Sequence, residues 1–312
     1  MKARTTSGAR GAVLRFFFAP AEATPLAALR IGVAAVLLGQ AALVAPAFFA
    51  LYDRAGFLQG PLQDEFAKPG LPHLGWLVAL LGREGAPDAP ILAGIAALYV
   101  LSLVALLVGL RARFAAAVAW LLHTILMMTG SATNYGADVF ANIFLFYLMW
   151  MPSGDALSID RRISRRPRGP TWSARFGLRV VQIHLCIVYL TSGIAKASGR
   201  GWWNGAAMWE ALTMPDFRVF DFSWLARHAW IAVLAGWTVL LWELGYAAFV
   251  WPRRTRRLWV LMTAAMHLGI LIFMGLYVFG AIMIVLTTSA FAVRAEPVRM
   301  AEGGDRPQAA VR

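Results

Sequence analysis

Six ionisable side chains lie inside long apolar stretches of this sequence, where a lipid or protein interior has to accommodate their charge. An ionisable group at the centre of a bilayer costs roughly 2.5–3.5 kcal/mol on insertion scales. Each is therefore a candidate for function, to be weighed against packing or anchoring at the headgroups. The six are Arg30, His123, His184, Lys196, Glu243 and His267.

Lys196 is the candidate with the most informative neighbours. Tyr189, Ser192 and Gly193 precede it by seven, four and three residues, so in a helix all four share one face. Gly193 lets a second helix or a ligand approach that face closely. A lysine in partly apolar surroundings can become a neutral amine and act as a base. The alternative is that its ammonium group only reaches the outer headgroups.

Glu243 and His267 lie near the middle of two later apolar stretches. A carboxylate at that depth is expected to be protonated or paired. A Glu243–His267 pair across two helices is one arrangement, and it would be structural or catalytic. Arg30 either reaches phosphate headgroups or forms a buried pair. We interpret His123 and His184 as packing residues, and the five histidines show no HxxxH or HExxH spacing, so we predict no metal site.

The elements that must position these residues are transmembrane helices. Of the 312 residues, 60% are hydrophobic and 14% are charged, against about 45–50% and about 25% in a soluble domain. A spanning helix needs about 20 apolar residues, and we predict an all-α, polytopic integral membrane bundle with seven or eight transmembrane helices. The count is open because the last stretch, with Gly275 and Gly280 near its middle, is too long for one straight crossing. The predicted spans are 26–51, 90–110, 113–131, 135–152, 177–198, 229–251 and 257–291.

Basic residues predict the orientation of this bundle. With a cytoplasmic N-terminus, the inner segments hold 17 lysines and arginines and the outer loops hold six, as the positive-inside rule requires. We predict a cytoplasmic N-terminal segment (1–25), a transmembrane domain (26–292) and a disordered tail (293–312), in a bacterial-type plasma (inner) membrane. The first apolar stretch exceeds the about 7–15 residues of a signal-peptide core, so we expect an uncleaved span.

The same charge distribution argues against a nucleic-acid partner. The formal net charge is +13, but the arginines lie in short loops between apolar stretches, so we expect the lipid bilayer as the partner. Cys186 is the only cysteine, which excludes an intramolecular disulfide. Loops 52–89 and 199–228 carry apolar and aromatic residues, and we expect them to lie along the outer membrane surface.

The stretch 182–207, QIHLCIVYLTSGIAKASGRGWWNGAA, resembles the YxxxGxxK…WxxG segment of the HTTM (horizontally transferred transmembrane) domain proteins. That domain is similar to the membrane portion of vitamin K-dependent gamma-carboxylase. The resemblance covers about residues 20–292. The matching positions are Tyr189, Gly193, Lys196, Trp202 and Gly205, supported in order by Arg30, the segment MWMPSGDALSID at 149–160, Glu243 and His267.

The resemblance implies chemistry on a reduced quinone at the outer leaflet. In the carboxylase a lysine initiates deprotonation of the quinone, and by resemblance that role falls to Lys196. His267 and Glu243 are the other catalytic candidates that the resemblance implies. The substrate-binding candidates are Tyr189, Ser192, Gly193, Trp202, Gly205, Asn134, Tyr135 and Arg30.

Two departures from the carboxylase pattern lead us not to expect glutamate carboxylation itself. Where the carboxylase has a histidine, this chain reads Thr133-Asn134-Tyr135-Gly136, and no large lumenal domain follows the last span. We favour an enzyme acting on a quinone, a lipid or a small peptide. The alternatives are a non-catalytic accessory protein for maturation, export or immunity of a secreted peptide, and a proton-coupled transporter. The transporter is the least favoured because the sequence shows no inverted repeat.

Overall fold

A computed structural model describes residues 8–59, 70–82, 88–130, 133–164, 169–217 and 219–295 of the chain. Within these ranges the chain forms helices joined by turns, and the extended pairing is limited to one isolated bridge between Ala21 and Thr171. The predicted all-α class is therefore confirmed. The predicted tail 293–312 lies outside the described residues beyond Ala295, as does the start of segment 1–25.

Eight apolar helices make up the body of the described structure. Six of them are long and apolar enough to cross a membrane. The other two, Gly136–Trp150 and Tyr277–Phe291, have 15 residues each, which corresponds to about 22 Å of rise. The eight helices are α1 (Thr24–Val44), α2 (Ala89–Val108), α3 (Ala112–Thr129), α4 (Gly136–Trp150), α5 (Trp172–Ala197), α6 (Ala229–Phe249), α7 (Arg253–Phe273) and α8 (Tyr277–Phe291).

Local sequence explains several of the helix limits. Pro25 lies in the first turn of α1, where its missing N–H costs nothing. The Thr171 hydroxyl accepts a hydrogen bond from the Ala174 N–H at 3.1 Å and caps α5. Helix α2 ends at Gly109, whose φ of 72° is in the left-handed region that terminates helices.

The last apolar stretch, predicted as 257–291, divides into α7 and α8. The chain turns at Gly275, whose φ of 68° favours glycine. The two helices then pack against each other as an antiparallel hairpin, with Gly280 against Leu271 and the carbonyl of His267. The stretch is therefore two helices, and α8 returns to the end of the bundle where α7 begins.

Helix α8 is the centre of the bundle. It packs against α7, α1, α5 and α4, and about half of its residues are buried. At the α1 crossing, Gly32 lies so close to Val285 that a Cβ atom would overlap the valine side chain. Around this centre, α1, α2, α3 and α4 pack in chain order, and α5 packs against α6.

The arginines concentrate at one end of the bundle, which we call the basic end. It contains the turns after α2, α4 and α6, the start of α1 and the last residues of α8. Contacts tie these segments together: Ala21 pairs with Thr171, and the Asp160 carboxylate accepts from the N–H groups of Arg111 and Ala112. The clustering agrees with the charge asymmetry seen in the sequence.

The opposite end, which we call the loop-rich end, carries longer connections with short helices. Its elements contact one another: the Leu74 N–H donates to the Thr129 hydroxyl at 2.8 Å, and Phe220 packs against Phe273. The short helices are Phe48–Tyr52, Leu74–Leu81, Arg200–Asn204 and Ala206–Thr213.

Candidate functional site

Lys196 and Glu243 form an ion pair between α5 and α6. The Lys196 ammonium donates to the two Glu243 carboxylate oxygens at 2.8 and 2.9 Å and to the Ser192 hydroxyl at 2.5 Å. The lysine side chain is 23% exposed and the glutamate side chain 7%. All three ammonium hydrogens therefore have acceptors, and the carboxylate keeps unused acceptor capacity.

The predicted Lys196 face is the face that α5 turns toward α6. Gly193 lies against the backbone of Leu244, and a Cβ atom at Gly193 would stand 3.0 Å from the Leu244 nitrogen. One helical turn earlier along the chain, the Tyr189 ring lies 4.1 Å from the ring of Tyr246. The glycine thus admits a neighbouring helix, and the close approach brings Glu243 within reach of Lys196.

Tyr189 and His267 form a second, more deeply buried polar group. The Tyr189 hydroxyl lies 2.9 Å from the His267 Nε2 atom and 3.2 Å from the Thr287 hydroxyl. Tyr189 and His267 are buried, at 2% and 3% exposure, and Thr287 is fully buried. The hydroxyl therefore links three helices, α5, α7 and α8, just below the ion pair.

Several buried polar atoms around this group have no hydrogen-bond partner. They are the His267 Nδ1 atom, the Tyr246 hydroxyl, the Thr263 hydroxyl and the Trp242 Nε1 atom. A buried polar atom without a partner costs about 1–3 kcal/mol, and native proteins keep few of them. Two of the four belong to Tyr246 and His267 of the buried polar group, and the other two lie on the same helices, α6 and α7.

Tryptophans from the loop-rich end cover the ion pair. The Trp202 ring centre lies 5.4 Å from the Lys196 ammonium, a cation–π distance. Gly205, with a φ of 85°, lies against the backbone of Val233. The Trp237 Nε1–H donates to the Trp203 carbonyl at 2.9 Å. These contacts hold the predicted residues Trp202 and Gly205 against α6, above Glu243.

Two other predicted residues, Asn134 and Tyr135, form local hydrogen bonds beside the site. The Asn134 amide donates to the Met127 carbonyl at 2.7 Å, and the Tyr135 N–H donates to the Asp138 carboxylate at 3.2 Å, so both fix the turn between α3 and α4. Burial and then the charge of Asp138 raise the pKa of the Tyr135 phenol to about 12.

Arg30 lies at the basic end, away from Lys196. Its guanidinium donates to the carbonyls of Ser153, Leu106, Leu107 and Leu157, the last two at 2.7 and 2.6 Å. The side chain is fully buried. It neither reaches headgroups nor pairs with a carboxylate, so both sequence interpretations of Arg30 give way to a role in closing the last turn of α2.

The pairing of Glu243 also differs from the arrangement that the sequence left open. Glu243 pairs with Lys196, and His267 pairs with Tyr189, because α6 presents Glu243 toward α5. His123 has both ring nitrogens engaged, by the Tyr99 hydroxyl at 2.9 Å and the Asp138 carbonyl at 3.2 Å, as a packing residue would.

Sequence reasoning missed Tyr246 and Thr287 as members of the buried polar group. Tyr246 follows Glu243 by three residues and shares its helix face, a spacing that was available in the sequence. Thr287 lies in an apolar helix, where threonine gives little signal. Among the residues that the structure describes, no group of three or more His, Cys, Asp or Glu side chains is placed to bind a metal.

The comparison with family models identifies the family of this chain. The model of the HTTM domain matches residues 85–294, which is most of the transmembrane bundle and includes Lys196, Glu243 and His267. The chain belongs to the HTTM domain family. The resemblance inferred from the YxxxGxxK…WxxG segment is thereby confirmed. No curated protein and no solved structure matches the chain. Together with the apolar helices, the HTTM domain shows an integral, multi-pass membrane protein.

Proposed function

We propose that this HTTM protein is a membrane-embedded enzyme that takes a proton from an acidic hydroxyl of a reduced quinone or a related lipid-soluble substrate. The observation that supports this proposal is the partly exposed Lys196–Glu243 ion pair, with distances of 2.8 and 2.9 Å. A proton can pass directly between groups at this separation. Transfer from the ammonium to the carboxylate would leave a neutral amine as the base, next to the Ser192 hydroxyl.

The residues around the pair fit the polar edge of a quinol. Lys196 offers the base, Glu243 has unused acceptor capacity, and the Trp202 ring offers an aromatic surface for a ring. A reduced quinone supplies ionisable ring hydroxyls and, once deprotonated, a reductant toward oxygen. The protein side chains would bind the hydroxyl, hold its proton and, through the tryptophans, exclude water. The partnerless atoms of His267 and Tyr246 would hold a further polar group.

The proposal includes an orientation of the bundle. With the basic end in the cytoplasm, the loop-rich end and Lys196 face the outer leaflet, and α1 to α8 make eight crossings. The plasma (inner) membrane of a bacterial-type cell is the proposed location.

The first experiment measures the rate at which the purified full-length protein, in lipid vesicles, consumes an added reduced quinone. Small molecules that copurify with it are extracted and identified by mass spectrometry. We expect Lys196→Ala to lower the rate by at least about 100-fold, as loss of a general base does, and Glu243→Gln to lower it as well. The matched control is Arg54→Gln, which breaks the Arg54–Asp88 ion pair at the loop-rich end and should leave the rate unchanged. An unchanged rate in a folded Lys196→Ala protein would refute the proposal.

A specific observation also favours a second candidate, the accessory protein for a secreted peptide. The connection between α5 and α6 exposes large apolar side chains at the loop-rich end, among them Val219 (45%), Phe220 (49%) and Trp224 (46%). Exposed apolar residues that lie together mark surfaces that bind proteins or the membrane, and a peptide is the occupant that this candidate requires. Copurification of a peptide that survives Lys196→Ala and is lost on Phe220→Ser would favour this candidate over the enzyme.

A further inference from the structure

A large cavity opens at the basic end, on the side of the bundle opposite the Lys196–Glu243 pair. It lies between the first turns of α5, the first turns of α7 and the last residues of α8, and its volume is about 1010 Å³. This is at the upper end of the about 300–1,000 Å³ typical of small-molecule sites. None of the residues proposed for proton transfer lines it.

The wall of the cavity combines positive charge with an apolar strip. No acidic side chain contributes to the described lining, so the charge is not neutralised there. The apolar strip includes Leu178, Val260 and Leu261, and Leu261 is 68% exposed on the outer side of α7. The lining arginines are Arg175, Arg179, Arg253, Arg256, Arg257 and Arg294.

Half of these arginines already have partners that fix them in place. The Arg175 guanidinium donates to the Ala19 carbonyl at 2.8 Å, and that of Arg179 donates to the Phe16 carbonyl at 3.0 Å and to Gln182 at 2.7 Å. Arg256 donates to the carbonyls of Val250 and Trp251. Because these acceptors are neutral carbonyl oxygens, the bonds hold the guanidinium groups without cancelling their charge.

The other three arginines are exposed at the mouth of the cavity. In the described part of the chain, Arg253, Arg257 and Arg294 form no ion pair. Guanidinium groups bind phosphate through paired N–H donors. The three exposed side chains and the three hydrogen-bonded ones therefore surround a space in which a phosphate would find donors from α5, α7 and α8 together.

From this arrangement we propose that the cavity binds the phosphate headgroup of an anionic phospholipid, with an acyl chain along the strip formed by Leu178, Val260 and Leu261. The position supports a lipid, because the cavity lies where the helices leave the apolar region and headgroups are found at that depth. The composition of the cavity wall also supports a lipid, because an apolar wall stabilises a bound acyl chain and contributes nothing to the binding of a free phosphate. A bound lipid would tie α5, α7 and α8 together at their basic ends.

The test compares two triple variants of the full-length protein that lose the same charge. The first, Arg253→Gln/Arg257→Gln/Arg294→Gln, removes the three positive charges at the mouth of the cavity. The matched control, Arg113→Gln/Arg162→Gln/Arg254→Gln, removes three exposed arginines from the same end but outside the cavity. Binding of phosphatidylglycerol and cardiolipin is titrated by native mass spectrometry in detergent, with phosphatidylcholine as the uncharged comparison and inorganic phosphate as a competitor.

We expect the first variant to bind anionic lipid about 100-fold more weakly than the wild type, since each arginine that contacts the bound headgroup contributes roughly fivefold. The control should stay within about twofold, and millimolar phosphate should displace little lipid. An equal loss in both variants would refute the site, because it would mean that the whole basic surface attracts lipid. Complete displacement by inorganic phosphate would identify free phosphate as the ligand and overturn the lipid assignment.

A second measurement keeps the proposal testable where the triple variant fails to fold. A photoactivatable phosphatidylglycerol is crosslinked to the wild-type protein in vesicles, and the labelled peptides are mapped. Labels within 175–182, 253–261 or 290–295 support the cavity. Labels confined to other segments overturn it.

Discussion

Replacing either partner of the Lys196–Glu243 pair should destabilise the protein, and the loss should be larger for Lys196 than for Glu243. In Lys196→Met, the Glu243 carboxylate keeps its place with 7% of its side chain exposed and loses its ion-pair partner. Breaking a buried pair in this way costs about 3–5 kcal/mol. In Glu243→Gln, the lysine keeps the Ser192 hydroxyl and 23% exposure, so its ammonium can turn toward water or headgroups. We expect a cost of about 1–2 kcal/mol there.

The double variant Lys196→Met/Glu243→Gln removes both charges and should recover most of the loss. Replacing a whole buried pair by uncharged residues of similar volume is often neutral. The four proteins form a double-mutant cycle, and single costs of about 3–5 and about 1–2 kcal/mol with a nearly neutral double variant correspond to a coupling free energy of about 4–7 kcal/mol. The free energy of unfolding is measured by chemical denaturation in mixed micelles, with the thermal midpoint as a second readout.

The same cycle separates a structural ion pair from a catalytic one. If the pair is only structural, activity and stability recover together in the double variant. If Lys196 is the base, the double variant regains stability and remains inactive. A coupling free energy under about 0.5 kcal/mol would refute the reasoning about burial, as would a larger loss for Glu243→Gln than for Lys196→Met.

Three further substitutions test single contacts. Arg30→Lys should cost more than about 3 kcal/mol and sharply reduce the yield of folded protein by size-exclusion chromatography, because a lysine has too few donors for the four carbonyls that the arginine serves. Tyr189→Phe should lower the free energy of unfolding by about 1–3 kcal/mol, since it leaves buried His267 without its hydroxyl partner; an unchanged thermal midpoint would contradict this. Gly193→Ala should cost about 1–3 kcal/mol because its methyl group meets the Leu244 backbone at 3.0 Å. The control Gly94→Ala, in α2 with open space around it, should be neutral or stabilising by up to about 1 kcal/mol.

The sequence was sufficient for the fold class because each helix carries its own signal. Apolar runs of about 20 residues and arginine-rich turns are local properties. Most of the described helices lie within two residues of the predicted spans, while α1 ends at Val44 instead of residue 51 and α5 begins at Trp172 instead of residue 177. The exception is 257–291, where hydropathy is continuous across the turn. There the decisive feature is the left-handed backbone at Gly275, and a glycine in a sequence indicates that such a turn is permitted without showing that it is made.

The candidate site was predictable in part for the same reason. The face containing Tyr189, Gly193 and Lys196 follows from helical spacing on one element. The residue that pairs with Lys196 does not follow from helical spacing, because it depends on how α5 and α6 pack. The sequence allowed Glu243 and His267 to pair with each other. In the structure Glu243 pairs with Lys196, and His267 pairs with Tyr189. Partner choice between helices is a property of the packed bundle.

Arg30 and Lys196 show that the free-energy cost of placing a charged side chain in the membrane does not by itself identify a functional residue. Both are cations taken from water, and on insertion scales they look equally expensive. Arg30 is held by carbonyls of fixed backbone, acceptors that cannot take its proton, so its charge state does not change. Lys196 is held by a carboxylate, which can accept that proton at 2.8 Å, and its side chain keeps access to the surroundings. A site that must exchange protons needs a carboxylate or similar group as acceptor and exposure to its surroundings, and of these two cations only Lys196 has both.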